Sequence, residues 1–356
     1  MEHETDEILI ERQGSAAILR LNRPKALNSV TLDMVRVMKR AMADFLDDPE
    51  VVCVILAGAG ERGLCAGGDI RKIYDQGKAG DAAVTQFWRE EFPLNYTISH
   101  YPKPYVALMD GITMGGGVGL ASHGAVRIVT ERTRLAMPET GIGYFPDVGT
   151  TWLLPKAPGE AGTWMALTGN EVTPADALFA GLADHAVASA DLDRLVAALG
   201  ALEADADLDA VEAVVARFSI SLPEGPLSQN RAMIDRAFSF DTVEEILSAL
   251  EREPGDFARD SRATILKRSP TSLKLALTLL RLGRQSSGLV ECLEREFAAG
   301  SEVLRNHDFY EGVRAAIIDK DRNPQWQPAD LGAVSDTDIA RYLIIGHHPL
   351  FPDHRL

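Results

Sequence analysis

Cysteine is scarce in this chain and basic residues are outnumbered, and both shortages exclude whole classes of protein. Cys53, Cys65 and Cys292 are the only cysteines. An odd set with no close pair supports neither a disulfide framework nor a tetrahedral metal knuckle, so no metal is expected. Lysine and arginine number 36 against 52 aspartates and glutamates, a formal net charge of −16. Such a surface repels nucleic acid and anionic membrane, so neither is expected as a partner, and an anionic substrate needs a local basic patch. No apolar stretch approaches the ~18 residues of a membrane span. Residues 1–10 are acidic, without the basic start and apolar run of a secretory signal or the Arg-rich character of a transit peptide. A reducing, cytoplasmic setting is the expectation from these features.

Familiar nucleophile signatures are missing as well. No G-x-S-x-G pentapeptide occurs, which removes the serine-hydrolase elbow. There is no H-E-x-x-H, and the one close histidine pair is His347 and His348. Cys53 sits in a strand-like apolar run and reads as core. Cys65, in a glycine turn, is the better thiol candidate but has no evident partner histidine. His123 and His185 read as structural. Gly58, Gly60 and Gly63 spell G-x-G-x-x-G after a strand-like run, but Gly67 and Gly68 follow where a dinucleotide-binding helix should run. The nicotinamide reading fails on that context.

What the chain does have is apolar content for a large core. It has 356 residues, 46% hydrophobic and 25% charged, a size suited to two domains or to one large domain with an appendage. Residues 16–21 have strand character and 24–28 read as a turn. From Thr31 the apolar residues Leu32, Val35, Met38, Met42 and Phe45 recur at helical spacing. Residues 51–56 form a branched apolar run bounded by glycines, a buried strand. The unit returns with a strand at 105–109, a glycine turn at 111–117 and a helix from Val118. Short strands and helices continue through 126–129 to Val187. After Asp191 the pattern turns helical, which places a soft boundary near Asp205, with 1–204 as an α/β core and 205–356 as a helical region.

The glycine clusters suit one kind of chemistry. Attack on, or enolisation of, an acyl thioester builds negative charge on its carbonyl oxygen, which two pre-positioned backbone N–H donors stabilise. Lacking a Cβ, Gly67 and Gly68 in one segment and Gly115, Gly116 and Gly117 in another let backbone approach a ligand closely. The second cluster begins a helix, whose N-terminus favours an oxyanion. Taken singly, each cluster reads equally well as a tight turn.

The segments LNRPKALNS (21–29), LCAGGDIR (64–71), GITMGGGVGL (111–120) and MPETGIGYFPDVG (137–149) resemble those of the crotonase, or enoyl-CoA hydratase/isomerase, superfamily. The resemblance continues through TVEEI (242–246), SPTSLK (269–274), HDFYEGVRAAIIDKD (307–321) and PQWQPADL (324–331), which mark a hydrolytic branch with a longer C-terminal region. It implies an α/β fold, a crotonase-type spiral of ββα units with helices at the C-terminus. In many relatives that region closes the acyl pocket or makes trimer contacts, so a homo-oligomer is one expectation. By motif position the implied oxyanion donors are the N–H groups of Gly68 and Gly116. The implied contacts to coenzyme A, here part of the substrate rather than a cofactor, are Lys25, Ala26, Leu27, Ala66, Asp69 and Ile70, with Arg23, Arg71 and Lys72 as further positive charge.

The superfamily's hydratases polarise water with two glutamates. Here Gly119 stands at the first position, Glu139 keeps the second, and Asp147 stands where the hydratases have glycine. The resemblance therefore implies hydrolysis of a short β-hydroxyacyl-CoA, 3-hydroxyisobutyryl-CoA foremost, as in valine breakdown. Glu139 is implied either as nucleophile, through a mixed anhydride, or as general base towards water. Asp147 is implied to orient or deprotonate water or to protonate the thiolate. Glu91, within FWREEF (87–92), is the implied contact to the substrate hydroxyl; its plain alternative is a surface acid beside Glu90. A hydratase/isomerase of the same fold stays open, as does a non-catalytic CoA-binding or RNA-associated relative, which the acidic charge and both carboxylates disfavour.

Overall fold

The computed structural model describes residues 6–346 and 349–352. His347, His348 and the first five residues of the acidic N-terminal segment lie outside them. Strands β1 (Ile8–Gln13) and β2 (Ala16–Leu21) form an antiparallel hairpin, and the chain then runs through one unit three times. Strands β3 (Cys53–Gly58) and β4 (Gly63–Cys65) precede the helix Ile70–Lys78. Strands β5 (Tyr105–Met109) and β6 (Ile112–Met114) precede the helix Gly116–Ser122. Strands β7 (Val126–Val129) and β8 (Arg134–Ala136) precede the single turn Glu139–Ile142. This is the expected spiral of ββα units. The first strand of each joins a six-stranded sheet ordered β1-β2-β3-β5-β7-β9, with β9 at His185–Ala186, and the second strands form a sheet ordered β4-β6-β8. From β2 to β9 the large sheet is parallel. Parallel strands are covered on both faces, which is why residues 53–57 and 105–109 are buried without alternation.

The G-x-G-x-x-G segment is the corner from β3 to β4. Gly63 has φ +158°, and a Cβ there would come within 2.4 Å of the Ile112 nitrogen. A strand starts at Gly63 where a dinucleotide fold needs a helix, which confirms on structural grounds that the match is accidental.

The chain divides into two compact units. The first comprises Met1–Gly68, Pro93–Leu135 and Val172–Gly225, the second Asp69–Phe92, Ala136–Glu171 and Pro226–Leu356. In the first, the sheet residues Ile18, Ile55, Val106 and Ile128 share a core with Leu195 and Leu199 of the helix Leu192–Gly200 and with Val211 and Val215 of the helix Leu208–Ala216. The boundary read near Asp205 thus falls between two helices of one core. Apolar periodicity does not show which core a helix joins. Cys53 is in this core, and burial pushes its thiol up to about 12, far from a nucleophile's range. His185 is structural as expected, its ring held between Ser219 and Glu212.

The second unit is mostly helical. The helix Pro270–Gln285 packs against Ala161–Thr168, Val243–Arg252 and Leu289–Val303. Two of its arginines anchor it to the buried Glu160, Arg281 at 3.1 Å and Arg284 at 2.7 Å. Thr242 and Ser269, which open the TVEEI and SPTSLK segments, each accept a backbone N–H as N-caps, so part of those motifs is helix punctuation.

Candidate active site

In the first unit the glycine turns lie side by side because β4 and β6 are parallel neighbours, Gly63 opposite Ile112 and Cys65 opposite Thr113. Gly67 has φ +109°, and a Cβ on it would sit 3.4 Å from the Met114 oxygen and 3.6 Å from the Gly116 nitrogen. Gly115 has φ 50° and ψ −122°, a conformation that only glycine adopts readily. Gly117 lies so close to Cys65 that a Cβ would meet its carbonyl oxygen at 2.4 Å. Cys65 is buried there, with Sγ 3.4 Å from the Gly67 nitrogen. Among the described residues the N–H groups of Gly68 and Gly116 donate to no loop or turn carbonyl. The first N–H groups of a helix lack intrahelical partners, and Gly116 is the first residue of its helix.

The implied CoA turn is fastened to the same strand end. Leu27 and Asn28 take left-handed backbone, φ 53° and 55°. Asn28 is buried and donates through Nδ2 to the carbonyls of Ala59 and Gly63, both at 3.0 Å. The Ala66 N–H donates to the Leu27 carbonyl at 3.0 Å, and Val30 to that of Gly67 at 2.8 Å. These bonds bring Leu27 and Ala66 together and leave Lys25 and Ala26 exposed. Arg23 is committed to structure, pairing with Glu7 at 3.0 Å and donating to the Ser29 carbonyl at 2.7 Å.

The implied carboxylates belong to the second unit, as do Asp69 and Ile70. Asp69 caps the helix Ile70–Lys78 by accepting the Lys72 N–H, and Arg71 and Lys72 are exposed on that helix. Glu91 lies on the helix Gln86–Ser99 at 1% exposure, which removes the surface-acid alternative. Glu139 opens the turn Glu139–Ile142 and is 7% exposed, while Asp147 is 6% exposed. One oxygen each of Glu91 and Glu139 has no hydrogen-bond partner among the described residues.

Burial raises the proton affinity of all three groups well above the ordinary carboxylate range, and the charge of Asp147 raises Glu91 and Glu139 further. The second contribution at Asp147 comes from Glu296, a fully buried carboxyl on the helix Leu289–Val303. Burial pushes Glu296 itself up to about 7 against the hydrogen bonds it accepts. The Tyr144 hydroxyl approaches Asp147 and opposes its shift without reaching ordinary hydrogen-bond geometry. Its ring stacks on Trp88, centroids 5.5 Å apart and planes 8° from parallel, three residues before Glu91 on one helix. Sequence reading missed Tyr144 and Glu296. Tyr144 lies inside the 137–149 segment and was findable there, whereas nothing near Glu296 distinguishes it from a helical surface acid.

The longer C-terminal region supports the Glu139 turn. Ser269 N–H donates to the Thr140 carbonyl at 3.2 Å, and Ser269 Oγ donates to Asp308 at 2.5 Å. Asp308 also accepts the Gln327 N–H at 2.8 Å. The backbone of Gly143 lies against that of Asp308, and Gly312 against Ile142, each too close for a Cβ.

Residues 16–343 match the family described as enoyl-CoA hydratase/isomerase. The 3-hydroxyisobutyryl-CoA hydrolase, mitochondrial, of Danio rerio is 44% identical over 93% of this chain and 87% of its own. Two solved structures superpose closely at 41% identity. A carnitinyl-CoA dehydratase from Mycobacterium thermoresistibile does so at TM-score 0.92, over 97% of this chain and 98% of its own. An enoyl-CoA hydratase from Rhodobacter sphaeroides 2.4.1 gives TM-score 0.87, over 95% and 97%. The expected α/β architecture with C-terminal helices is thereby shared over nearly the whole chain. The cytoplasmic expectation finds no support in a relative named mitochondrial; for this chain, no described helix is long and apolar enough to cross a membrane.

The buried carboxyls make stability depend on pH. In the unfolded chain they return to about 4 to 4.5. Glu296, with a folded value of about 7, contributes stability that is full below its unfolded value and lost as pH rises through 7. The other three, raised likewise, act in the same direction. Tm is expected to fall as pH is raised from about 5 to about 8, measured by calorimetry. A level or rising Tm over that range would show that these groups are already ionised in the folded protein.

Proposed function

The chain belongs to the enoyl-CoA hydratase/isomerase family, and on that premise we propose that it is an acyl-CoA thioester hydrolase. Its substrate in this reading is a short β-hydroxyacyl-CoA, 3-hydroxyisobutyryl-CoA foremost, cleaved to 3-hydroxyisobutyrate and CoA in valine breakdown. The observation that carries this reading is that Glu139 and Asp147 are both buried in one unit, together with glycine at position 119.

Two carboxyls that repel each other in a dry site do not both ionise, so one keeps its proton while the other is a base. Thioester cleavage uses both states. The N–H groups of Gly68 and Gly116 receive the thioester oxygen as it gains charge. Ionised Glu139 attacks the carbonyl carbon, a C–O bond forms, the C–S bond breaks, and the thiolate takes the proton held by Asp147. Water, deprotonated by Asp147, then opens the anhydride, releasing the acid and the Glu139 carboxylate. General-base activation of water by Glu139 gives the same products without the anhydride. Lys25, Ala26, Leu27, Ala66, Asp69 and Ile70 line the CoA path in this proposal, with Arg71 and Lys72 as exposed cations for its phosphates. Glu91 accepts the hydrogen bond of the substrate hydroxyl.

A second reading, hydration or dehydration of an enoyl-CoA, has in its favour the names of the two solved relatives. Against it stands the glycine at position 119, which leaves one of the two water-polarising carboxylates missing.

A thiol-release assay over an acyl-CoA panel separates the readings. Free CoA is expected from 3-hydroxyisobutyryl-CoA with little hydration of crotonyl-CoA, and efficient hydration without thiol release would overturn the hydrolase assignment. Glu139→Gln is expected to bind acyl-CoA normally and lose about 10²–10⁴-fold in kcat; near-normal turnover would remove Glu139 from the chemistry. Glu91→Ala should lower kcat/KM for 3-hydroxyisobutyryl-CoA far more than for isobutyryl-CoA, since a site built around a hydroxyl discriminates by up to about 10⁴. Equal losses on both substrates would take the hydroxyl contact away from Glu91.

A further inference from the structure

Glu296 is the one member of the carboxyl group that no motif predicts, and it is the best connected. Its Oε2 accepts the Gly149 N–H at 2.7 Å, and its Oε1 accepts the Thr151 N–H at 3.1 Å and the Thr151 hydroxyl at 2.6 Å. Gly149 and Thr151 flank the start of the short helix Thr150–Leu153, which has no side-chain cap of its own. The carboxylate of a residue almost 150 positions later thus satisfies N–H groups that a helix start leaves bare. The backbone held this way is the one that presents Asp147. Val148 is forced to φ 53°, costly for a β-branched residue, and Gly149 follows at φ 79°. Asp147's own carbonyl is fixed by the N–H and hydroxyl of Thr150, at 2.9 and 2.7 Å.

We propose that Glu296 is the positioning residue for Asp147. Its hydrogen bonds to Gly149 and Thr151 hold the strained 147–151 segment, and with it Asp147, in place. This rests on the acid–base role given to Asp147 above. The groups that act electrostatically on this pair are Glu91 and Glu139, which couple to Asp147, with Tyr144, Arg295 and Cys292 and the two carboxyls themselves. Arg295 pairs with Glu291 at 2.7 Å and donates to the Ser286 hydroxyl; it forms no ion pair with Glu296, though its charge opposes the upward shift there. Where it is ionised, Glu296 acts on Asp147 as a charge of the same sign, and removing that charge makes Asp147 a stronger acid.

A double-mutant cycle tests the link. Glu296→Gln is expected to lower kcat by roughly 10-fold or more, to leave KM within about 3-fold, and to move the limb of the pH–rate profile governed by Asp147 to lower pH. On an Asp147→Asn background the same change should cost less than about 2-fold, because the group it acts through is gone. Equal losses on both backgrounds with an unmoved profile would overturn the proposal and leave Glu296 as a structural cap. The same cycle read as Tm between about pH 5 and 8 needs no turnover. There Glu296→Gln should flatten the fall in Tm, and less so once Asp147 is Asn. Coupling in Tm without any thiol release would sink the hydrolase reading and keep the link, whereas additive Tm effects would sink the link itself.

Discussion

Glu91, Glu139, Asp147 and Glu296 are all buried in one unit, and no arginine or lysine is ion-paired with any of them among the described residues. A carboxylate taken out of water without a counter-charge costs several kcal/mol, so such groups hold protons, accept backbone hydrogen bonds, or both. The two answers are divided among them. Glu296 accepts three hydrogen bonds and has the mildest shift, to about 7. Glu91 and Glu139 each keep a bare buried oxygen and are raised further. An acid with no partner of its own inside a folded protein is a stability deficit that packing elsewhere must offset. It is also the state in which a group has a free lone pair and a proton ready for a substrate.

That deficit explains how much of the chain is spent on holding short turns still. Glu139 is carried by four residues of 3-10 helix and Asp147 by a loop, neither of which is stable in isolation. Ser269, Asp308 and Gln327 form a chain of hydrogen bonds that ends on Thr140, next to Glu139. Glycines at 143 and 312 let backbone lie directly on backbone at the same turn. The segments SPTSLK, HDFYEGV and PQWQ, which distinguish the chain from shorter relatives in sequence, are thus the buttress of the carboxylate turn.

The strands were legible because parallel pairing buries both faces, turning each central strand into an unbroken apolar run between glycines. Glu139, Asp147 and Glu91 were legible only through resemblance: by periodicity alone Glu91 belongs to a surface pair with Glu90, and burial decides otherwise. The division into units was not legible, since helices that look alike in sequence join different cores depending on which apolar face they meet. Glu296 was not legible for the same reason. Its partners, Gly149 and Thr151, are remote in sequence, and an acid within a run of Glu and Arg reads as solvated.

The glycine at 119 joins these observations to the reaction type. The helix Gly116–Ser122 has glycine at three of its seven positions, each costing about 1 kcal/mol in a helix interior. Gly117 is required by contact with the Cys65 backbone, and Gly116 offers its N–H at the helix start. Gly119 is buried past the helix start, where a residue of higher helix propensity would favour the helix more. In the proposed reaction, glycine at 119 leaves the acid–base work to Glu139 and Asp147 of the 137–149 segment. In that reaction, an acid–base pair carried on that one segment suits acyl transfer to water rather than addition of water across a double bond, for which a second glutamate is missing.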